Sequence, residues 1–150
     1  MDKDIRWRLE YASVVTFPCT LGELETLERV QRAATRLVDG MSGLDYEDRL
    51  KALNLFPQSY RRVRGDLIML RKIFRGDYGP ELQQFFPLRN DSTRRGHYLT
   101  MQKKPSWILP ARFRLSHRAV NLWNSLPASV VEEEKDENFK YQLDEHLRNM

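Results

Sequence analysis

Five cations stand at helical spacing in the middle of this chain: Arg61, Arg64, Arg71, Lys72 and Arg75. At 100° per residue they fall within an arc of roughly 100°, and Tyr60, Val63, Leu67, Leu70 and Phe74 occupy a separate arc of roughly 80°. A fixed row of guanidinium and ammonium groups suits a phosphate backbone, which carries charge at regular intervals and releases counterions when it is neutralised. Arg94, Arg95, Lys103 and Lys104 follow in the stretch Leu88 to Pro110, which has no helical period and a single acid, Asp91. Arg112, Arg114 and Arg118 extend the series. Tyr98, Trp107 and Phe113 lie among these charges, where aromatic rings can stack on unpaired bases. The chemistry on offer is nucleic-acid backbone binding, with a helix for register and a loop for grip.

Other chemistry is less well supported. Asp45-Tyr46-Glu47-Asp48 is the nearest thing to the converging carboxylates of a two-metal site. It reads more simply as a helix cap followed by acids that complement the dipole of the first turn. His97, His117 and His146 are far apart, and no H-x-x-x-H or C-x-x-C accompanies them. The single cysteine, Cys19, excludes an internal disulfide and any zinc site of two or more thiolates. Gly40 and Gly43 lack the lysine and hydroxyl residue of a phosphate-binding loop. The chain is therefore expected to be non-catalytic on its own and to carry no cofactor, metal or small-molecule substrate.

The elements that must position the cations follow from periodicity. Thr20-Leu21-Gly22-Glu23 has the form of a capping box, and Leu21, Leu24, Leu27, Val30, Ala34, Leu37 and Val38 mark one helix face up to Gly40. A short helix capped by Asp45 presents Leu50 and Leu53 inward, and Pro57 ends it or opens the next. The third helix, about Gln58 to Arg75, carries the basic ridge. Glu81 to Phe86 is at most a short helix before Pro87, and His97 to Gln102 can form one arm of a small hairpin within the long basic loop. Helical period returns from Ala111 to Leu126 and ends at Pro127; the last amphipathic helix carries Phe139, Leu143 and Leu147.

These elements predict an all-α fold with a helical region over 1–86, a basic loop over 87–110 and C-terminal helices over 111–150 packed on the first region as one unit. The net charge of +4 conceals strong polarisation: residues 1–48 sum to −4, residues 49–118 to +12 and residues 119–150 to −4. The longest uncharged run, Ala119 to Val131, is too short to span a bilayer and the first ten residues lack a signal-peptide pattern. A soluble protein of the cell interior, nuclear or cytoplasmic, is the expectation.

The order of several blocks adds to this. Leu9-Glu10-Tyr11-Ala12-Ser13-Val14-Val15 precedes Leu27-Glu28-Arg29-Val30-Gln31-Arg32-Ala33-Ala34-Thr35-Arg36-Leu37. Tyr46-Glu47-Asp48-Arg49-Leu50, Tyr60-Arg61-Arg62-Val63-Arg64-Gly65-Asp66-Leu67-Ile68 and Ser92-Thr93-Arg94-Arg95-Gly96-His97 come next. Arg118-Ala119-Val120-Asn121-Leu122-Trp123-Asn124-Ser125-Leu126-Pro127 follows, then Phe139-Lys140 ahead of Leu143-Asp144. This series resembles the C-terminal, thumb and post-thumb region of the reverse transcriptase of non-LTR (LINE-type, jockey-like) retrotransposons. The resemblance covers about Leu9 to Leu147, with Thr16 standing where family members usually carry tryptophan.

The resemblance implies a thumb-like helical bundle from a parent RNA-directed DNA polymerase with endonuclease. The parent's Mg²⁺ would belong to a palm domain, whose Tyr-x-Asp-Asp has no counterpart here because Arg49 follows Tyr46-Glu47-Asp48. Its implied partners are an RNA/DNA hybrid or single-stranded RNA and the parent's palm domain. It leaves open a truncated element, a gene fragment or a reused domain. The alternative from the charges alone is an interaction module whose basic centre docks acidic protein partners, or the chain's own acidic ends.

Overall fold

Helix-forming runs separated by glycine, proline and asparagine set the architecture. The protein, seen in a computed structural model, is described over residues 21–89, 96–103 and 115–148. The helices are α1 (Leu21–Arg36), α2 (Tyr46–Ala52), α3 (Gln58–Arg75), α4 (Pro80–Gln83), α5 (Leu115–Arg118), α6 (Val120–Ser125), α7 (Ala128–Val131) and α8 (Asp136–Arg148). The fold is all-α. Among the described residues there is no strand, only one antiparallel bridge between Leu88 and Met101. It is flanked by Arg89 N to Thr100 O and Gln102 N to Pro87 O, each 2.8 Å, so the expected hairpin arm over His97 to Gln102 pairs at a single rung. No described helix is long and apolar enough to cross a membrane.

The chain divides into two compact units, residues 1–63 and 64–150, with the boundary inside α3. In the first unit α1 packs on α2. Thr20 of the expected capping box lies outside the described residues. The helix stops at Arg36, four residues before Gly40, and Leu37 begins a series of turns with its side chain 83% exposed. The buried face of α1 is also rotated from the apolar stripe. Its two fully buried residues are Gln31 and Thr35, and Val30 is 44% exposed. Polar side chains sit on the buried line because α2 and the start of α3 offer them hydrogen-bond partners, and burial without partners would cost several kcal/mol, on the order of 2–7.

Helix α2 ends in a Schellman motif. Asn54 takes the left-handed conformation at φ 50°, Leu55 N donates to Leu50 O at 2.8 Å and Asn54 N to Lys51 O at 3.1 Å. Pro57 opens α3, its carbonyl accepting the first helical bond from Arg61 N. In the second unit α3 is buried over more than its predicted stripe. Leu67 and Leu70 are joined in the core by Ile73, Asp66 and Arg71. Around it lie Trp123, Val120, Phe139, Leu143 and Met101, all almost fully enclosed. The short α7 after Pro127, which no periodicity announces, buries Val130 and Val131.

Candidate nucleic-acid interface

The expected basic ridge lies along α3, and its guanidinium groups are already occupied by the chain's own acceptors. In the second unit Arg64 grips Asp144 in a two-pronged pair, Nε to Oδ1 at 2.5 Å and Nη2 to Oδ2 at 3.1 Å. Arg71 is buried. Its Nε donates to Asp136 Oδ1 at 3.1 Å, its Nη2 to the carbonyls of Glu133 and Glu134, and its guanidinium lies 4.3 Å from the centre of the Phe139 ring. Arg75 Nη1 reaches both Glu134 O and Asp136 Oδ1 at 2.8 Å. Arg64 and Arg71 are seven residues apart and Asp136 and Asp144 eight, so about 10.5 Å of one helix matches about 12 Å of the other. The pairing order, first with last, sets α8 antiparallel to α3. The acidic C-terminal segment thus neutralises part of the central +12.

Arg118 has a similar role. It is bidentate on Asp66, Nε to Oδ2 at 2.6 Å and Nη2 to Oδ1 at 2.7 Å, and both side chains are nearly buried. In the first unit Arg61 donates to Gln31 Oε1. Lys72 is half-buried and Lys103 exposed. Arg94, Arg95, Lys104, Arg112 and Arg114, with Trp107 and Phe113, lie outside the described residues.

Beside the occupied ridge the second unit has an open cavity of about 460 Å³, lined by Arg71, Phe74, Arg75, Tyr98, Trp123 and Glu132–Glu134 among others. Tyr98 stands at this cavity 68% exposed, and the Arg75 side chain is 47% exposed. An exposed aromatic ring and a half-exposed guanidinium on one rim can offer a base a stacking surface and a phosphate a counter-charge.

The segment carrying Tyr98 is held by Trp123, which the helical period from Ala111 to Leu126 marks, and by Asn124, which spacing alone does not single out. Trp123 Nε1 donates to Leu99 O at 2.9 Å, and the Trp123 carbonyl lies 3.0 Å from His97 Nε2. Asn124 brackets Met101 from both sides, accepting from its N–H at 2.8 Å and donating to its carbonyl at 3.0 Å. The Trp-Asn pair of α6 therefore serves as a clamp on residues 97–101. The signal was an amide one position beyond a buried tryptophan, which has no periodic signature.

In the first unit a polar network surrounds Gln31. Its Nε2 donates to Tyr46 Oη and Phe56 O, each at 3.0 Å, and its Oε1 accepts from Gln58 Nε2 at 2.9 Å. Tyr46 donates to Glu28 Oε1, and Glu28 Oε2 accepts from Gln58 N at 2.8 Å, so one carboxylate also caps the start of α3. Burial, reinforced by the Glu28 hydrogen bond, pushes the Tyr46 phenol well above its ordinary value. The Asp45–Asp48 cluster is a helix start, with Asp45 at the cap and Glu47 and Asp48 in the first turn. Among the described residues no group of three or more His, Cys, Asp and Glu side chains converges on a metal position.

The junction between α7 and α8 carries a pH dependence. The Lys135 N–H holds the Glu133 carboxyl below its usual range, and the Arg71 guanidinium does the same for Asp136. Groups with depressed folded-state values stabilise fully above the ordinary carboxylate pKa of about 4 and lose that contribution as pH falls through the lower folded value. Thermal melts at pH 7 and 5 should therefore coincide as far as these groups are concerned, and a decline should set in below about pH 4. Arg75→Gln, which removes one of the charges facing Asp136, should make that decline shallower.

No protein-family model, curated protein or solved structure matches this chain.

Proposed function

We propose that this chain is a non-catalytic helical region of a non-LTR retrotransposon reverse transcriptase, holding an RNA/DNA template–primer or single-stranded RNA through its backbone. It works inside the cell, in nucleus or cytoplasm, beside a palm domain that carries the polymerase aspartates and their Mg²⁺. The order of sequence blocks supports the family, and the single structural observation that supports the binding role is Tyr98 exposed on the same cavity rim as Arg75. The binding cations on this reading are Lys72, Lys103 and Arg75, whose half-exposed guanidinium is tied to Glu134 and Asp136 through Nη1 alone, together with the loop residues Arg94, Arg95, Lys104, Arg112 and Arg114. Arg64, Arg71 and Arg118 contribute by building the surface, since their guanidinium groups are committed to Asp144, Asp136 and Asp66.

Fluorescence anisotropy with a labelled RNA–DNA hybrid and a labelled single-stranded RNA, each over a salt series, tests this. Each lost phosphate contact should lower the log–log salt slope by about 0.9 for a duplex and about 0.7 for a single strand. Arg75→Glu with Lys72→Glu should flatten the slope on both ligands. Tyr98→Ala should weaken single-stranded RNA binding by about 1–3 kcal/mol and barely affect the hybrid. Unchanged affinity and slope in variants with wild-type circular dichroism would reject the rim assignment.

A second reading has its own observation: α3 already accepts acidic polypeptide, through Arg64 to Asp144 and Arg71 to Asp136. On that reading the basic centre docks acidic protein, and polyglutamate, not RNA, would compete for it.

A further inference from the structure

The arginines of α1 differ from those of α3. Arg29, Arg32 and Arg36 are all exposed, and none has a carboxylate within ion-pair distance among the described residues. Arg32 rests against the Tyr46 ring at 4.9 Å, a cation–π contact that steadies its guanidinium. At 100° per residue the three lie within roughly 60° of one another, and Ala33, Leu37 and Val30 follow on the adjoining flank within roughly the next 100°. Leu37, in the turn that follows the last residue of α1, is 83% exposed and Val30 44%, so the outer face of α1 has a cationic edge and an apolar edge, both open among the described residues.

The second unit shows what such a face accepts. There an arginine row beside apolar residues of α3 is met by α8, whose Asp136 and Asp144 pair with Arg71 and Arg64 while Phe139 and Leu143 enter the core. A phosphate backbone would use the cationic edge alone and leave Leu37 and Val30 in water. An acidic amphipathic helix would use both edges. We propose that the outer face of α1 is a docking surface for an acidic amphipathic helix of a protein partner, its carboxylates on Arg29, Arg32 and Arg36 and its apolar stripe on Val30, Ala33 and Leu37. The partner helix is recognised as α3 recognises α8, with charge setting the register and apolar contact supplying most of the affinity.

The test uses the full ¹⁵N-labelled chain and a capped synthetic helix of about 18 residues, long enough to hold helical structure, with leucines at every third or fourth position and glutamates beside them. Binding should shift the amide signals of α1. Arg29→Glu with Arg36→Glu should weaken it by about tenfold or more, and Leu37→Ser by about fivefold. A matching peptide with lysines in place of glutamates should bind the doubly reversed protein better than wild type. Because all three positions are exposed, the variants keep the fold, which circular dichroism verifies. Three outcomes would overturn the proposal: no α1 shifts with the peptide; a single-stranded RNA giving the same shifts with an affinity that Leu37→Ser leaves unchanged, which makes the face a polyanion site; or concentration-dependent α1 shifts in the protein alone, which makes the occupant a second copy. None of these outcomes bears on the Tyr98 rim, whose test is separate.

Discussion

Asp66→Ala is expected to destabilise the protein by about 3–5 kcal/mol, the usual cost of breaking a buried ion pair by removing one partner. Asp66 and Arg118 are 5% and 11% exposed at their side chains and meet through two parallel hydrogen bonds of 2.6 and 2.7 Å. Without the carboxylate, the Arg118 guanidinium loses both of these acceptors in a place where water replaces them poorly. Most of the loss is thus the residual charge, not the worth of the pair. Replacing both partners, Asp66→Leu with Arg118→Met, should accordingly recover a large part of the stability. Urea titrations of the three proteins measure this directly. A single-variant loss below about 1 kcal/mol, the range of exposed pairs, would show that the pair is solvated.

Trp123→Ala should cost a similar amount, about 3–5 kcal/mol, for a different reason. Trp123 is fully buried, lies 5.3 Å from the Phe74 ring and 5.8 Å from His97 between centroids, and holds Leu99 through its indole N–H. Truncation empties a large volume and releases the segment that carries Tyr98. Trp123→Phe should separate the two effects: a ring remains in the cavity, and the Leu99 carbonyl loses its donor at about 1–3 kcal/mol. If the clamp positions Tyr98, Trp123→Phe should also reduce the contribution of Tyr98 to single-stranded RNA binding, which a double-mutant cycle with Tyr98→Ala reads out.

The periodic parts of the fold were legible from the chain. Of the arc Tyr60, Val63, Leu67, Leu70 and Phe74, Leu67 and Leu70 lie in the core and Phe74 meets the Trp123 ring, and Phe139 and Leu143 are the buried residues of α8. The face of α1 was less so. Apolar periodicity points to Val30 and Leu37, yet the helix buries Gln31 and Thr35, because Tyr46, Gln58 and Arg49 complete their hydrogen bonds from distant positions. Hydrophobicity scores a side chain by itself and cannot see a partner 14 to 27 residues away. The same limit applies to the ridge. Five cations on one face of α3 are visible in the sequence, and so is an acidic segment near residues 132–137. Their meeting depends on α8 running antiparallel to α3, a tertiary fact. Asn124 was hidden for a simpler reason, since a single amide that completes a backbone ladder belongs to no period.

The antiparallel pairing of α3 with α8 also bears on the order of folding. Arg64 and Asp144 are separated by 80 positions and Arg71 and Asp136 by 65. Contacts that distant carry a loop-closure cost before they return any stability, and they slow the step in which they form. During synthesis α3 is complete long before α8 has been made. Over that interval Arg64 and Arg71 have no carboxylates from α8, and the places of Phe139 and Leu143 are empty. The second unit can therefore complete its core only once α8 has been made, and until then Arg64, Arg71 and the apolar side of α3 are without the partners that α8 supplies.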